Sequence, residues 1–269
     1  LITVTAPTLE GNYDDIIVAL AQNSPDDDDG NPDPNDADRT ITGLQTIVIN
    51  IDDAITIAEA RTIDGYTSGL ITGTITGGSI DTFLNQTVAG TYDLEAGNAW
   101  SMTFTDETYT AAELSNAISL TSGLLTVNDG DGASTITGTL SAVNTVFESV
   151  STTAPGITGI EDAPITIQET SIGLLSAADL RTLDGNTTGV VTLDESWNHD
   201  ADADTDDVAT ITGLTGTYDD VHYVATQAKT QEDGDDTTGV ATPTIVMDEA
   251  NLTITLTGST TVAQFNDIE

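Results

Sequence analysis

The stretch that decides the fold is TIAEARTIDGYTSGLIT (residues 56–72), because the chain contains two further copies of it. TAAELSNAISLTSGLLT (residues 110–126) and SAADLRTLDGNTTGVVT (residues 176–192) align with it without gaps. Each copy starts with Ser or Thr and has an acid three residues later, which is the pattern of a helix capping box. Two copies then contain Asp-Gly, where a glycine with positive φ is expected to end the helix. The phrase therefore predicts a short capped helix, a tight turn and a β-branched strand.

Arg61 and Arg181 occupy the same position of this phrase, and they are two of only four basic residues in the chain. One interpretation is an arginine that binds an anion or takes part in catalysis. The other is an arginine that pairs with neighbouring carboxylates while its stem covers the junction of helix and strand. We favour the structural interpretation, because a repeated position normally serves the structure of the repeat.

Two further phrases are interleaved with the first. Segments that begin TITG or TLTG, such as those from Thr74, Thr135 and Thr255, predict a strand, a glycine turn and an amphipathic segment. LEGNYDDIIVALAQ (from Leu9) also matches LTGTYDDVHYVATQ (from Leu214), which lies 214 − 9 = 205 residues later. The repeats indicate a segment of a longer tandem array. Its predicted units are residues 1–51 (partial, with an acidic loop at 25–38), 52–105, 106–165, 166–230 (with an acidic loop at 194–207) and 231–269 (partial).

Thr is abundant beside Ile, Val and Leu, and β-branched residues favour strands. Units of this length are small for an independent core and gain stability by packing on their neighbours. The sequence therefore predicts a mainly β fold with short capped helices. Its tandem repeat units are expected to form an elongated array, either solenoid-like or beads-on-a-string.

The chain is strongly acidic, with 45 acidic residues against 4 basic ones and a net charge of −41. Such a surface repels phosphate, which excludes nucleic-acid binding and attraction to anionic membranes. No stretch of about 20 apolar residues is present, so we expect no membrane insertion. The chain has no cysteine, which excludes disulfides and thiolate metal sites. The expected partners are divalent cations, which prefer carboxylate oxygens.

Two acidic loops carry alternating oxygen ligands of the kind that bind Ca²⁺. The candidate ligands are Asp29, Asn31, Asp33 and Asn35 in the first loop, and Asp200, Asp202, Asp204 and Asp206 in the second. Neither loop has the glycine and glutamate spacing of an EF-hand. Weak Ca²⁺ binding and a simple solvated acidic loop both fit these residues. A third acidic segment, NDGDG (residues 128–132), is better explained as a turn.

The catalytic motifs that we considered, including G-x-S-x-G, H-E-x-x-H and the P-loop, do not occur in the sequence. Catalysis also usually needs a cation to stabilise developing negative charge, and four basic residues give little material for it. We therefore predict a protein without enzymatic activity.

The phrases SAADLRTLDGNTTGVVT and TITGTLSAVNTVFES resemble the degenerate tandem repeats of very large bacterial cell-surface and adhesin-like proteins. The repeats of marine cyanobacterial surface proteins are the most similar, and similar repeats occur in cyanophage structural proteins. The resemblance implies an extracellular, calcium-rich setting and a structural role in a surface layer, filament or adhesin stalk that associates with copies of itself. The alternative is an appendage module of a phage or bacterium that binds glycan or a receptor, with Trp100 and Trp197 as candidate contacts.

Overall fold

The structure is a computed structural model that describes residues 2–3, 8–21, 41–84, 94, 96–127, 134–169, 173–193, 211–227, 245–246, 253–261 and 264. Within these residues, helices and strands alternate along much of the chain. The helices are α1 (Tyr13–Ala21), α2 (Ile57–Asp64), α3 (Ile80–Leu84), α4 (Ala111–Leu120), α5 (Leu140–Phe147), α6 (Ala177–Asn186) and α7 (Tyr218–Gln227). The strands are β1 (Ile2–Thr3), β2 (Thr8–Gly11), β3 (Ile41–Thr42), β4 (Val48–Ile55), β5 (Ile71–Gly78), β6 (Ala99–Phe104), β7 (Thr108–Thr110), β8 (Leu124–Val127), β9 (Thr135–Gly138), β10 (Gly156–Thr158), β11 (Ile165–Ile167), β12 (Gly173–Ser176), β13 (Val191–Leu193), β14 (Ile211–Gly216), β15 (Ile245–Val246) and β16 (Thr253–Leu256).

The chain divides into two units that interleave along the sequence. Unit 1 comprises Leu1–Thr105, Asn116–Val127 and Ser151–Thr158, and unit 2 comprises Asp106–Ser115, Asn128–Val150 and Gly159–Glu269. Unit 1 contains the two-stranded sheet β1-β3 and the six-stranded sheet β10-β8-β6-β5-β4-β2. Unit 2 contains the five-stranded sheet β15-β13-β11-β9-β7 and the three-stranded sheet β12-β14-β16.

Every pairing between the described strands is parallel, and the register places apolar residues in rows across the sheets. The row in unit 1 consists of Ile55, Ile75, Met102, Leu125 and Ile157, all of which are buried. The row in unit 2 consists of Tyr109, Ile136, Ile165, Val191 and Ile245, also buried. Burial of such rows on parallel strands is the main apolar contribution to each unit.

The helix starts follow the sequence prediction. Thr56 caps α2, and Glu59 Oε2 accepts hydrogen bonds from the Thr56 amide at 2.7 Å and hydroxyl at 2.8 Å. Thr110 and Glu113 form the same reciprocal bonds at α4, and Ser176 Oγ accepts from the Asp179 amide at α6. These bonds satisfy amide groups that the first helical turn leaves without a partner.

The predicted Asp-Gly helix end is confirmed in position at α2, which ends at Asp64 with Gly65 as its C-cap, but the expected glycine conformation is wrong. Gly65 follows α2 with a φ of −68°, in the right-handed helical region rather than at positive φ. The second Asp-Gly pair does not end a helix at all, because α6 continues through Gly185 to Asn186. Asp-Gly in this phrase therefore does not terminate the helix through a left-handed glycine.

The Thr-Ser/Thr-Gly segment of the phrase makes similar contacts in all three copies, and we call this arrangement the clasp. In the middle copy Thr121 Oγ1 lies 2.7 Å from the Trp100 main-chain oxygen and 3.0 Å from that of Asn98. The Ser122 amide donates to the Asn98 oxygen at 2.8 Å, and the Gly123 amide donates to Thr121 Oγ1 at 2.9 Å. One short segment thus bonds two carbonyl groups of the neighbouring chain segment, that of Trp100 in β6 and that of Asn98 just before it.

The first copy repeats both hydroxyl contacts, and the third copy repeats one of them. Thr67 Oγ1 lies 3.2 Å from the main-chain oxygens of Gln45 and Ile47, and Thr187 Oγ1 lies 3.0 Å from that of Glu161. The glycine of each clasp packs closely against the main chain of the neighbouring segment. An added Cβ at Gly69, Gly123 or Gly189 would lie 2.0, 2.2 or 2.1 Å from the main-chain oxygen of Ile47, Trp100 or Ala163, respectively.

The predicted fold class, a mainly β protein in an elongated array, is wrong. The protein is α/β, since its sheets are parallel, helices lie between strands, and helices hold nearly as many described residues as strands do. The beads-on-a-string arrangement fails because one sheet takes β2, β5 and β10 from three different predicted repeat units. The abundance of Thr does not indicate a mainly β fold here, because many threonines cap helices or form clasps instead of lying in strands.

We expect Gly123→Ala to destabilise the protein by about 2–3 kcal/mol, because its Cβ would overlap the Trp100 oxygen at 2.2 Å. The matched control is Gly185→Ala in α6, where an added Cβ meets nothing within 4 Å. That change should be neutral or stabilise the helix by up to about 1 kcal/mol. Urea unfolding of both variants measures the difference, and equal stability would contradict the clasp geometry.

Candidate functional site

The residues predicted to bind Ca²⁺ lie outside the described part of the chain. Asp29, Asn31, Asp33 and Asn35 fall in residues 22–40, and Asp200, Asp202, Asp204 and Asp206 fall in residues 194–210. The third acidic segment, residues 128–132, is also outside. Among the described residues, no group of three or more His, Asp or Glu side chains could hold a metal ion. Calcium binding by the two acidic loops therefore stays a prediction.

The two arginines of the repeated phrase reach the next helix in their own unit. Arg61 Nη2 on α2 donates to the Thr82 main-chain oxygen on α3 at 3.1 Å. Arg181 Nη1 on α6 donates to Asp220 Oδ1 on α7 at 3.1 Å. For Arg181 the structural interpretation is confirmed, because its guanidinium pairs with a neighbouring carboxylate.

The most concentrated polar contacts in unit 2 form a cluster of Arg181 and Asp184 on α6 with Asp220 and Tyr223 on α7, which we call the α6–α7 cluster. The Arg181 guanidinium carbon lies 5.0 Å from the centre of the Tyr223 ring, within cation–π range. The Tyr223 hydroxyl donates to Asp184 Oδ2. Asp220 also helps to cap the N-terminus of α7, since its Oδ2 accepts a hydrogen bond from the Thr217 hydroxyl at 2.7 Å. The cluster thus joins two helices through charge and hydrogen bonds.

Sequence reasoning missed Tyr223 and Asp184 as members of this cluster. The signal was present, because Asp184 belongs to the Asp-Gly pair of the phrase and Tyr223 lies in the YDDVHY echo. The two residues are 39 positions apart, so their pairing depends on the packing of α6 against α7.

Two tyrosines of unit 2 have perturbed acidities. Burial, followed by the negative charge of Asp106, raises the pKa of Tyr109 to about 12. The hydrogen bond to Asp184 raises the pKa of Tyr223, with smaller contributions from burial and from the Asp184 charge. Both shifts favour the neutral phenol, and the Tyr223 hydroxyl donates a hydrogen bond to Asp184.

A cavity of about 220 Å³ lies beside the starts of α5 and α6 in unit 2. Its polar lining comes from Ser141, Glu169, Ser176 and Asp179. Glu169 Oε1 accepts from the Leu140 amide at 3.0 Å, and Ser176 Oγ accepts from the Asp179 amide at 3.3 Å. These groups complete the helix starts, and the two carboxylates disfavour an anionic ligand. The cavity is smaller than the roughly 300–1,000 Å³ of typical ligand pockets.

The tryptophans do not supply an observed glycan contact. Trp100 is 0 % exposed in β6, with Gly73 of the next strand leaving room for its ring. A buried ring cannot stack on a sugar. Trp197 lies outside the described residues, so the glycan-binding alternative stays a prediction that rests on that residue.

We expect Tyr223→Phe to destabilise unit 2 by about 1.5 kcal/mol or more, because Asp184 loses its hydrogen-bond donor while remaining partly buried. Thermal and urea unfolding at neutral pH measure the loss. A suitable control is Tyr66→Phe, at a side chain that is 40 % exposed, and it should leave stability nearly unchanged. Equal behaviour of the two variants would show that the α6–α7 cluster contributes nothing measurable.

Comparison with known proteins gives no match: no family model, no curated protein and no solved structure is similar to this chain. Among the described residues, no helix combines the length and hydropathy that a membrane-spanning segment needs. Functional inference therefore depends on the residues and geometry of the chain itself.

Proposed function

We propose that this protein is a non-enzymatic structural protein that works outside the cell, in a surface layer, filament or adhesin stalk. Copies of the chain associate with one another, and Ca²⁺ or high salt makes that association possible. The role is mechanical and architectural, so the functional surface is the one that contacts neighbouring copies.

The observation that carries the proposal is the equivalence of the three phrase copies. Each copy starts with a capped helix, and each clasp binds the main chain at or just before the start of the neighbouring strand through the same threonine position, at Thr67, Thr121 and Thr187. The repeated residues serve the scaffold itself, as expected where a sequence repeats a structural element rather than a reactive centre. Arg181, one of the few cations, is likewise part of a helix-to-helix contact.

The surface charge supports a cation-dependent assembly. No described Asp or Glu side chain is buried, so the described carboxylates lie at or near the surface. With a net charge of −41, copies repel one another in dilute buffer. The Debye length is about 10 Å at 0.1 M salt and about 3 Å at 1 M, so salt weakens this repulsion. Divalent cations bound by carboxylates reduce it further, because they neutralise charge at the contact.

Sedimentation velocity across protein concentration tests the proposal. We expect a monomer in low-salt buffer with chelator, and larger species when Ca²⁺ is added. Ca²⁺ should act more strongly than NaCl at the same ionic strength, because it binds carboxylates as well as screening them. The chelator should reverse the association. A monomer under every condition, including concentrated salt with Ca²⁺, would contradict the proposal.

A matched pair of variants separates specific binding from simple screening. In the first variant, four aspartates of the second acidic loop become asparagine: Asp200, Asp202, Asp204 and Asp206. In the second, four exposed acids elsewhere become the corresponding amides: Asp52, Asp81, Glu148 and Asp162. Both remove the same charge. If the loop binds Ca²⁺, the first variant alone should need much more Ca²⁺ to associate.

A further inference from the structure

We propose that copies of this chain associate head to tail, with β16 of one copy pairing in parallel with β2 of the next. The proposal depends on the self-association proposed above and names the surface that mediates it. The β2 edge is defined by Leu9 on β2 and Val18 on α1. The β16 edge is defined by Ile254 on β16.

The first support is that apolar residues at these two edges are incompletely covered. Within the described residues, β2 pairs with β4 on one side and β16 pairs with β14 on one side. Ile254 continues the buried row of Leu175 and Leu214, yet it is 43 % exposed. Leu9 continues the row of Ile49 and is half-buried.

Edge strands elsewhere keep their row residues covered. Ile157 on β10, Tyr109 on β7 and Ile245 on β15 are all at most 1 % exposed, although each lies on the last strand of its sheet. Exposure of an apolar residue is therefore not a general consequence of an edge position in this protein. Leu174 on the β12 edge is also 39 % exposed, but Leu175, which continues the buried row there, is only 5 % exposed. A parallel edge strand whose row residue is not covered can pair with a further strand.

The second support is that the chain itself contains a covered example of the β2 edge. β2 and α1 repeat the phrase of β14 and α7, with Leu9 corresponding to Leu214. In unit 2, β12 pairs with β14 on the side opposite β16, and Leu214 is buried between them. The same position beside β2 is open among the described strands. A strand with this sequence can therefore have a parallel neighbour on both sides. β14 has both neighbours, whereas β2 has only β4 among the described strands.

The helix that follows β2 is also less covered than its counterpart in unit 2. Val18 on α1 corresponds to Tyr223 on α7, which contacts Arg181 and Asp184 of α6. Val18 is instead 61 % exposed, although it is an apolar residue. The neighbour that would cover it is a strand followed by a helix, in the arrangement of β12 and α6.

A second copy of the chain is the occupant that fits both edges. It offers β16, a parallel strand whose own row ends in an exposed isoleucine, followed by Thr261, whose hydroxyl donates to Gln264 Oε1 and accepts from the Gln264 amide. All described strand pairs are parallel, so β16 can pair with β2 in the mode that both already use. The contact is heterologous, because the two edges differ, and each copy keeps one edge free for a further neighbour.

Three variants with equal charge changes test the proposal: Val18→Glu at the β2 edge, Ile254→Glu at the β16 edge, and the control Leu70→Glu at a position that is 44 % exposed and lies on neither edge strand. Sedimentation velocity in Ca²⁺ and salt should show self-association at least about tenfold weaker for the two edge variants, since each buries an unpaired carboxylate. The Leu70 variant should behave as the wild type does.

Mixing the two edge variants gives the sharpest result. The Val18→Glu copy keeps an intact β16 edge and the Ile254→Glu copy keeps an intact β2 edge. An equimolar mixture should therefore form a heterodimer and stop there, while each variant alone stays monomeric. Association through two identical edges predicts the opposite, because one of the two variants would then still self-associate.

Hydrogen exchange on the wild type provides a second measurement if either variant fails to fold. Amide protons of β2 and β16 should exchange more slowly in the associated state, while those of β10 and β15 should not change. If the wild type associates but both edge variants associate equally well, or exchange slows elsewhere, the head-to-tail pairing is wrong and self-association stands. If the wild type never associates, both proposals fail.

Discussion

The interaction on which both units depend is the hydrogen bonding of one threonine hydroxyl to the main chain at or just before the start of the neighbouring strand in the sheet. In each clasp the hydroxyl binds one or two carbonyl groups of that segment and accepts a bond from the glycine amide two residues later. The glycine lets the two chains approach within a distance that a side chain would forbid. The clasp therefore sets the spacing of neighbouring strands at the point where each new strand begins.

Several features of the fold follow from this spacing. Because each clasp precedes a strand, β5, β8 and β13 enter their sheets already aligned with the strand before them. The apolar rows can then form with few aromatic residues, since Ile, Leu and Val side chains lie in line across parallel strands. The acids stay at the surface, where they cap helices as Glu59 and Glu113 do or face solvent. The fold therefore accommodates the high negative charge of the chain, because these acids are not in its apolar core.

Local features were predictable from sequence, and contacts between distant segments were not. The caps at Thr56 and Thr110 act within three residues, so the motif alone identifies them. The clasp at Thr121 joins residues more than 20 positions apart, and nothing in the phrase TSG indicates its carbonyl partners. This is why helix starts were confirmed while the fold class was wrong. The parallel α/β arrangement depends on which strands become neighbours, and the clasp partners decide that.

The candidate site shows the same division. The equivalence of Arg61 and Arg181 was visible in the repeat, and both residues contact the following helix. Their partners were not visible, because they lie on the following helix: the Thr82 main-chain oxygen on α3 for Arg61, and Asp220 and Tyr223 on α7 for Arg181. The acidic-loop ligands remain sequence predictions, since they fall outside the described residues.

The free energy of unfolding of Thr121→Val tests the central claim most directly. Valine keeps the shape of threonine but leaves the Trp100 oxygen and the Gly123 amide without their partner. The account predicts a loss of about 2–3 kcal/mol. Thr108→Val, at an exposed strand position, should change stability by no more than about 0.5 kcal/mol. If the two variants are equally stable, the clasp does not hold the strands together.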